Sequence, residues 1–378
     1  METDRPLALL GGLSASTFMR THWQARPLLV RSALRDVDLH IPDRSRLFEL
    51  AARDDVESRL VIREGERWSV RHGPFRRRAL PPLTQHGWTL LVQGVDLHDD
   101  AAHDLLARFR FISDARLDDA MFSYASDGGG VGPHVDSYDV FLLQTSGRRR
   151  WRIGRARRAR LRDDVPLKIL RDFVPSHDWL LEPGDMLYLP PGWAHEGTAQ
   201  GPCITCSIGF RAPATNLLAA DVLQRLAETR VDDGAQGELY GDRGQAATVH
   251  PGRIPAGLQR FADAAVGMAL RDREARRRAL GEVLSEPKRD VWFEAQPAAA
   301  TGRAVVLDRR SRMLYDARHV FINGEAYRAG GGDATLMRRL ADARRLCARD
   351  VQGLSRPARR LLGRWVQAGW CVEIEEGP

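Results

Sequence analysis

A chain of 378 residues with 43% apolar and 28% charged side chains is long enough for a sizeable core in two or three domains and has the balance of a soluble globular protein. No apolar run reaches the roughly eighteen residues that a bilayer span needs, and the opening METDRPLALLGGLSAS is a poor secretory signal, so a cytoplasmic protein without membrane insertion is expected. The net charge of +7 comes almost wholly from arginine, since Lys168 and Lys288 are the only lysines; this reads as a composition habit, and direct nucleic-acid binding is not expected.

In chain order, SASTFMRTHWQARPLLV predicts a helix capped at Ser14 or Ser16, running through Gln24 and halted near Arg26 and Pro27, then a strand. RSRLFELAARDDV predicts a second helix, with Leu47, Leu50 and Ala51 at helical spacing. Two strands about a turn near Glu64 to Glu66, another from Trp88, and a helix over Asp99 to Phe109 follow. From Ala120 to Ala212 short strands alternate with Gly and Pro: MFSYAS, VFLLQTS, RRRWRIG, DWLLEPG, DMLYLPP, HEGTA and CITCSIGF. That pattern predicts an antiparallel sandwich or barrel. The arginine-rich connection from Arg155 to Arg162 reads as a solvated face.

Pro213 marks a change to helical periodicity, and a helical domain over 213–295 is expected, with dimerisation as its use. QPAAATG from Gln296 reads as a linker. Beyond it, strands and helices over 296–378 predict a winged-helix layout, which by itself says nothing about function. Cys203 and Cys206 form a CxxC, but residues three apart on a strand face opposite ways, so buried thiols are expected.

The chemistry gathers in two stretches, Gly128 to Trp151 and Glu182 to Gly197. If VDSYDVFLLQ is one strand, His134 and Asp136 are two apart and point to one face. His195 follows the turn Pro190, Pro191, Gly192, which aims it inward. Two imidazoles and a carboxylate on one side of a metal leave the opposite positions open, the arrangement of non-haem Fe(II) oxygenases. Arg149 lies thirteen residues after Asp136, and a guanidinium is a two-pronged match to a carboxylate. Arg148 and Arg150 flank it, and alternation alone leaves open which of them faces inward. Between Leu91 and Asp139 ten aspartates stand against three arginines, a segment that would attract a cationic substrate unless the aspartates serve as caps and turns.

GGGVGPHVDSYDVFLLQTSGRRRWRIG, LEPGDMLYLPPGWAHEGTA and IGFRAP together closely resemble the bacterial ribosomal oxygenases of the JmjC family, which hydroxylate an arginine of large-subunit ribosomal protein sixteen. SRLV, HGPF and WTLLVQGV resemble it too. The resemblance implies an α+β chain. A double-stranded β-helix (cupin/JmjC) barrel over 1–212 precedes a helical dimerisation domain over 213–295 and a winged-helix-like domain over 296–378. It implies His134, Asp136 and His195 as ligands of Fe(II), Arg149 as the anchor of the distal carboxylate of the cosubstrate 2-oxoglutarate, and a homodimer. Tyr138, Asp139, Asp118 and Asp119 are candidates for gripping the cationic side chain. Thr205 and Cys206 stand where a close relative would carry an asparagine and an aromatic. The expected reaction hydroxylates the β-carbon of the arginine. The alternatives are a histidyl hydroxylase of another ribosomal protein and a DNA-binding regulator with a ligand-sensing barrel.

Overall fold

The computed structural model describes residues 2–34, 41–156, 160–232, 238–243, 247, 250–297 and 302–375. The arginine-rich connection and the linker expected from Gln296 therefore fall partly outside the described residues. The chain divides into two compact units, Met1–Ala212 and Pro213–Pro378.

The first unit opens with α1 (Ala15–Thr21), where the Ser14 hydroxyl accepts from the Thr17 N–H at 3.1 Å. α1 stops short of the expected Gln24, which lies in the left-handed region at φ 56°. β1 (Leu28–Val30) follows, then α2 (Arg44–Ala51), whose Leu47, Leu50 and Ala51 are fully buried as their spacing demands. The strands β2 (Ser58–Glu64), β3 (Arg67–His72) and β4 (Trp88–Val92) lead to α3 (Asp100–Ala107) and β5 (Leu117–Ala125). Next come β6 (His134–Val135), β7 (Val140–Arg155), β8 (His177–Leu181), β9 (Met186–Leu189) and β10 (Trp193–Phe210). All pairings are antiparallel, in the order β1-β9-β7-β10-β5-β4-β2-β3, with β6 added to β10 and β8 to β7.

Three expectations about strands change. VFLLQTS and RRRWRIG are one strand, β7, and HEGTA and CITCSIGF are one strand, β10. Each is bent, not broken: the first part of β7 pairs with β9 and its last part with β8. VDSYDVFLLQ is not a single strand, because pairing stops after Val135 and resumes only at Val140. Asp136 to Asp139 form a bend between β6 and β7.

The bend in β7 sets which side chains face inward. Gln144 pairs with Thr205 and Ser146 with Ile204, so β7 carries one extra residue, Thr145, against its partner. An extra residue reverses the alternation. Val140 and Leu142 face the interior cavity before the bulge, and Arg149 and Trp151 face it after, an odd separation that an unbroken strand forbids. Gly147 holds the corner at φ 63°, and a Cβ there would lie 2.2 Å from the Pro202 carbonyl oxygen. Neither the backbone region nor the space admits a side chain. Gly147→Ala is expected to cost about 3 kcal/mol, read as a lower urea midpoint at unchanged slope.

The second unit contains α4 (Thr215–Asp232), α5 (Ala256–Arg271) and α6 (Arg273–Ser285), then β11 (Ala304–Leu307), β12 (Met313–Tyr315), β13 (His319–Ile322) and β14 (Glu325–Arg328). α7 (Gly331–Ala343), β15 (Arg345–Leu346), α8 (Ala348–Gly353), α9 (Arg356–Gln367) and β16 (Cys371–Ile374) complete it. Its sheets run β15-β11-β16 and β12-β13-β14. Val305, Ile322, Leu340, Leu362 and Trp365 form its own core. α6 lies close on β13, where a Cβ on Gly281 would sit 2.2 Å from the Phe321 ring.

Candidate active site

His134 and His195 are direct cross-strand partners of β6 and β10, which brings their ring centroids to 4.2 Å. Gly132, at φ 76°, turns the chain into β6 under Ile169 and Trp68. Each imidazole is locked by its Nδ1, which meets a backbone carbonyl: Gly132 at 3.0 Å for His134 and Trp193 at 3.1 Å for His195. A carbonyl only accepts, so Nδ1 carries the hydrogen and the Nε2 lone pair is free for a ligand. Asp136, just past the end of β6, puts its carboxylate oxygens 3.9 Å from His134 Nε2 and 3.6 Å from His195 Nε2. All three donor atoms lie within 4.8 Å of one another.

Burial pushes the His195 imidazole well below its ordinary pKa, helped by the nearby His134 and Arg149 against the hydrogen bond to the Trp193 carbonyl. It is therefore neutral, as a metal ligand must be. Burial also pushes the Asp136 carboxyl up, opposed by His134 and a hydrogen bond from Tyr138. A divalent cation among the three would relieve that cost by supplying positive charge. Two nitrogens and one carboxylate oxygen suit Fe(II), and the cavity beside them leaves room for further ligands.

That cavity holds about 460 Å³ and is walled by β2 to β5, β7, β10 and the segment Pro166 to Lys168. Arg149 projects into it and is only 3% exposed, while Arg148 and Arg150 face solvent. Arg150 pairs with Asp178 at 2.8 Å. The Arg149 guanidinium donates to Ser123 Oγ at 3.0 Å, Thr205 Oγ1 at 3.4 Å and the Gly197 carbonyl at 3.3 Å, and lies over Trp151 at 5.1 Å. Its Nε is buried without a partner, and among the described residues no carboxylate pairs with the group. Burial accordingly pushes its pKa down. A buried cation without a counter-ion costs several kcal/mol, and a carboxylate in the cavity would offset it. The residues present thus fit both a metal and a dianionic keto acid.

The cradle of Arg149 has no signature in the sequence. Ser123 is a polar residue in an apolar strand, and Thr205, noted only as a departure, both accepts from Arg149 and donates to Gln144 Oε1 at 2.9 Å. Gly197 has no side chain because a Cβ there would meet Arg149 Nε at 2.7 Å.

Of the four residues expected beside a cationic substrate, only Tyr138 lines the cavity. Asp139 is fully buried elsewhere, accepting from Tyr188 at 2.6 Å, Gln24 at 3.1 Å and Arg116 at 3.5 Å. Asp119 is buried and accepts the Gly94 N–H at 2.9 Å, while Asp118 meets Arg211 at 3.4 Å. The acidic segment behaves likewise, for Asp96, Asp99 and Asp127 each hold backbone N–H groups. Asp96, Asp99 and Asp127 thus serve caps and turns, while burial raises the Tyr138 pKa and Asp118 and Asp119 lie near enough for their charge to help raise it. Among the described residues, the cations on the cavity wall besides Arg149 are Arg59 and Lys168.

Antiparallel β-strands bent around an interior His-Asp-His cluster are the arrangement of cupin-like metal oxygenases. The JmjC domain profile matches residues 104–218, and a ROXA-like winged helix profile matches 269–372, a range that takes in α6. The chain is 32% identical over 323 residues to the ribosomal protein uL16 3-hydroxylase of Escherichia coli K12, covering 82% of this chain and 84% of that one. It is 35% identical over 205 residues to a probable ribosomal oxygenase of Haemophilus influenzae, 53% of this chain and 50% of that one. A structure of the E. coli ribosomal oxygenase YcfD with cobalt and 2-oxoglutarate superposes with a TM-score of 0.77 at 30% identity, covering 94% and 96% of the two chains. Another YcfD crystal structure gives 0.80 at 29% identity, covering 95% and 98%. The chain belongs to the bacterial JmjC ribosomal oxygenases and is a 2-oxoglutarate-dependent dioxygenase.

Proposed function

We propose that the substrate is ribosomal protein uL16, hydroxylated at the β-carbon of an arginine, with His134, Asp136 and His195 holding Fe(II) and Arg149 holding the distal carboxylate of 2-oxoglutarate. The observation that carries the site is the buried Arg149, without a counter-ion among the described residues, sharing one cavity with three convergent donors. The substrate rests on the name of the E. coli relative. When bound, the metal and 2-oxoglutarate supply the oxidation, coupled to decarboxylation to succinate. The chain's own contribution is positional. The Gly132 and Trp193 carbonyls keep both imidazoles in the ligating tautomer. Ser123, Thr205 and the Gly197 carbonyl hold the Arg149 fork, and Val140, Leu142 and Trp151 supply an apolar part of the surrounding wall. Mass spectrometry of uL16 from cells with and without the gene tests the substrate. Loss of one oxygen atom's mass from the arginine is expected; an unchanged arginine with loss on a histidine elsewhere overturns it.

The protein works in the cytoplasm, where a ribosomal substrate is met; no helix among the described residues is long and apolar enough to cross a membrane. It works as a homodimer through the helical domain 213–295. In support, α5 buries none of its residues, and its Leu258, Val266, Met268 and Leu270 are exposed, an apolar surface that a partner copy would cover. Light scattering is expected to report a dimer that Val266→Asp with Met268→Asp converts to monomer.

A further inference from the structure

The net charge is not spread along the chain. Residues 296–378 hold fifteen arginines and nine carboxylates, an excess of six, against +7 for the whole sequence, so nearly all of the excess lies there. A composition habit acting on the entire gene would not confine the excess to one module.

Within the module the charge gathers on α9. α8 and α9 are joined by only Leu354 and Ser355, making a helix–turn–helix pair in which α9 is second, the position that enters a nucleic-acid groove in such motifs. α9 buries Ala358, Leu362, Trp365 and Val366. Its other face carries Arg356, Arg360 and Arg364 in one row, four residues apart, with Arg359 beside them. Like charges at that spacing repel along a helix. Arg303 stands across an open cleft of about 430 Å³, which has Val305 and Val351 in its walls. Arg303, Arg356, Arg359 and Arg360 have no carboxylate partner among the described residues, and Glu373 is the only carboxylate lining the cleft.

We infer that the cleft and the arginine row of α9 form a binding surface for the phosphodiester backbone of a nucleic acid. Guanidinium forks match phosphate oxygens in pairs, and helix rise spreads the row over about 12 Å, long enough to meet successive phosphates. Contacts of this kind fix position without reading sequence. A repeating phosphodiester is favoured over an acidic peptide because the arginines recur at a regular interval along one helix face. The inference is independent of which protein residue the oxygenase modifies.

The test is fluorescence anisotropy of the full-length protein with labelled duplex DNA, duplex RNA and single-stranded RNA between 50 and 200 mM salt. Three to four phosphate contacts predict that affinity for duplex DNA falls about 40- to 150-fold over that range. Arg356→Gln, Arg360→Gln and Arg364→Gln together are expected to weaken binding at least about tenfold and to reduce the salt slope by about 3. Removing equal charge from the barrel unit, with Arg67→Gln, Arg76→Gln and Arg78→Gln, is expected to change affinity less than about twofold. Unchanged circular dichroism and 2-oxoglutarate turnover establish that the α9 variant is folded. Which of the three nucleic acids binds assigns the source of the phosphates. Absence of binding to all three at 50 mM salt, equal loss in both triple variants, or binding of polyglutamate alone overturns the inference.

Discussion

Replacing His134 with alanine is expected to lower 2-oxoglutarate turnover by at least about 1000-fold, the loss of roughly 4 kcal/mol of transition-state stabilisation. His134 and His195 are cross-strand partners with both Nδ1 atoms committed to carbonyls, so no neighbour can rotate in to replace a missing Nε2. The two donors left do not define one side of an octahedral ion. The fold should survive, because the His134 side chain is 25% exposed and belongs to no apolar cluster. Thermal shift separates these effects. In the wild type, a divalent metal at a hundred times its dissociation constant adds about 2.7 kcal/mol to stability; in His134→Ala that gain vanishes while the metal-free melting temperature stays in place. A metal-dependent gain equal to that of the wild type would contradict the assignment of His134.

Arg149→Met has effects of opposite sign on binding and on stability. The apparent KM for 2-oxoglutarate should rise at least about 100-fold, because a charge-assisted two-pronged contact is lost and Ser123 and Thr205 have no cation left to orient. The ligand-free protein should be no less stable than the wild type. A buried guanidinium whose Nε lacks a partner is a cost of folding, and an apolar side chain of similar length removes it. Arg149→Lys keeps the charge without the fork and should fall between. Titration of 2-oxoglutarate against melting temperature reads both quantities in one experiment. A variant that keeps the wild-type KM would sink the anchoring role.

The triad was legible from residue types, since a His-x-Asp after a glycine-rich turn and a histidine after PPGWA name their chemistry. The strand drawn through them was not, because pairing stops at Val135 and the bend places Asp136 by a turn. Arg149 was recognisable from its family match, whereas its inward direction depends on one extra residue, Thr145, which no alternation rule reveals. Ser123 looks like an ordinary strand residue and Thr205 only like a departure from close relatives, and only the fold brings them to one guanidinium. The aspartates are harder to read: Asp119 and Asp139 are near the site in sequence, yet Asp119 accepts from the Gly94 N–H and Asp139 from Tyr188, Gln24 and Arg116. Charge counted along a chain does not tell which carboxylates reach solvent. The second unit was legible in outline, because Met337, Leu340 and Ala341 on α7 and Leu362, Trp365 and Val366 on α9 repeat at helical spacing and meet in one core.

The most direct measurement of the central claim is turnover of purified uL16 by the purified protein with 2-oxoglutarate, with and without Fe(II). The account predicts succinate and an arginine heavier by one oxygen atom in equal amounts, both dependent on Fe(II) and absent in His134→Ala. Succinate formed without any modified arginine, or an arginine modified without Fe(II), would contradict it.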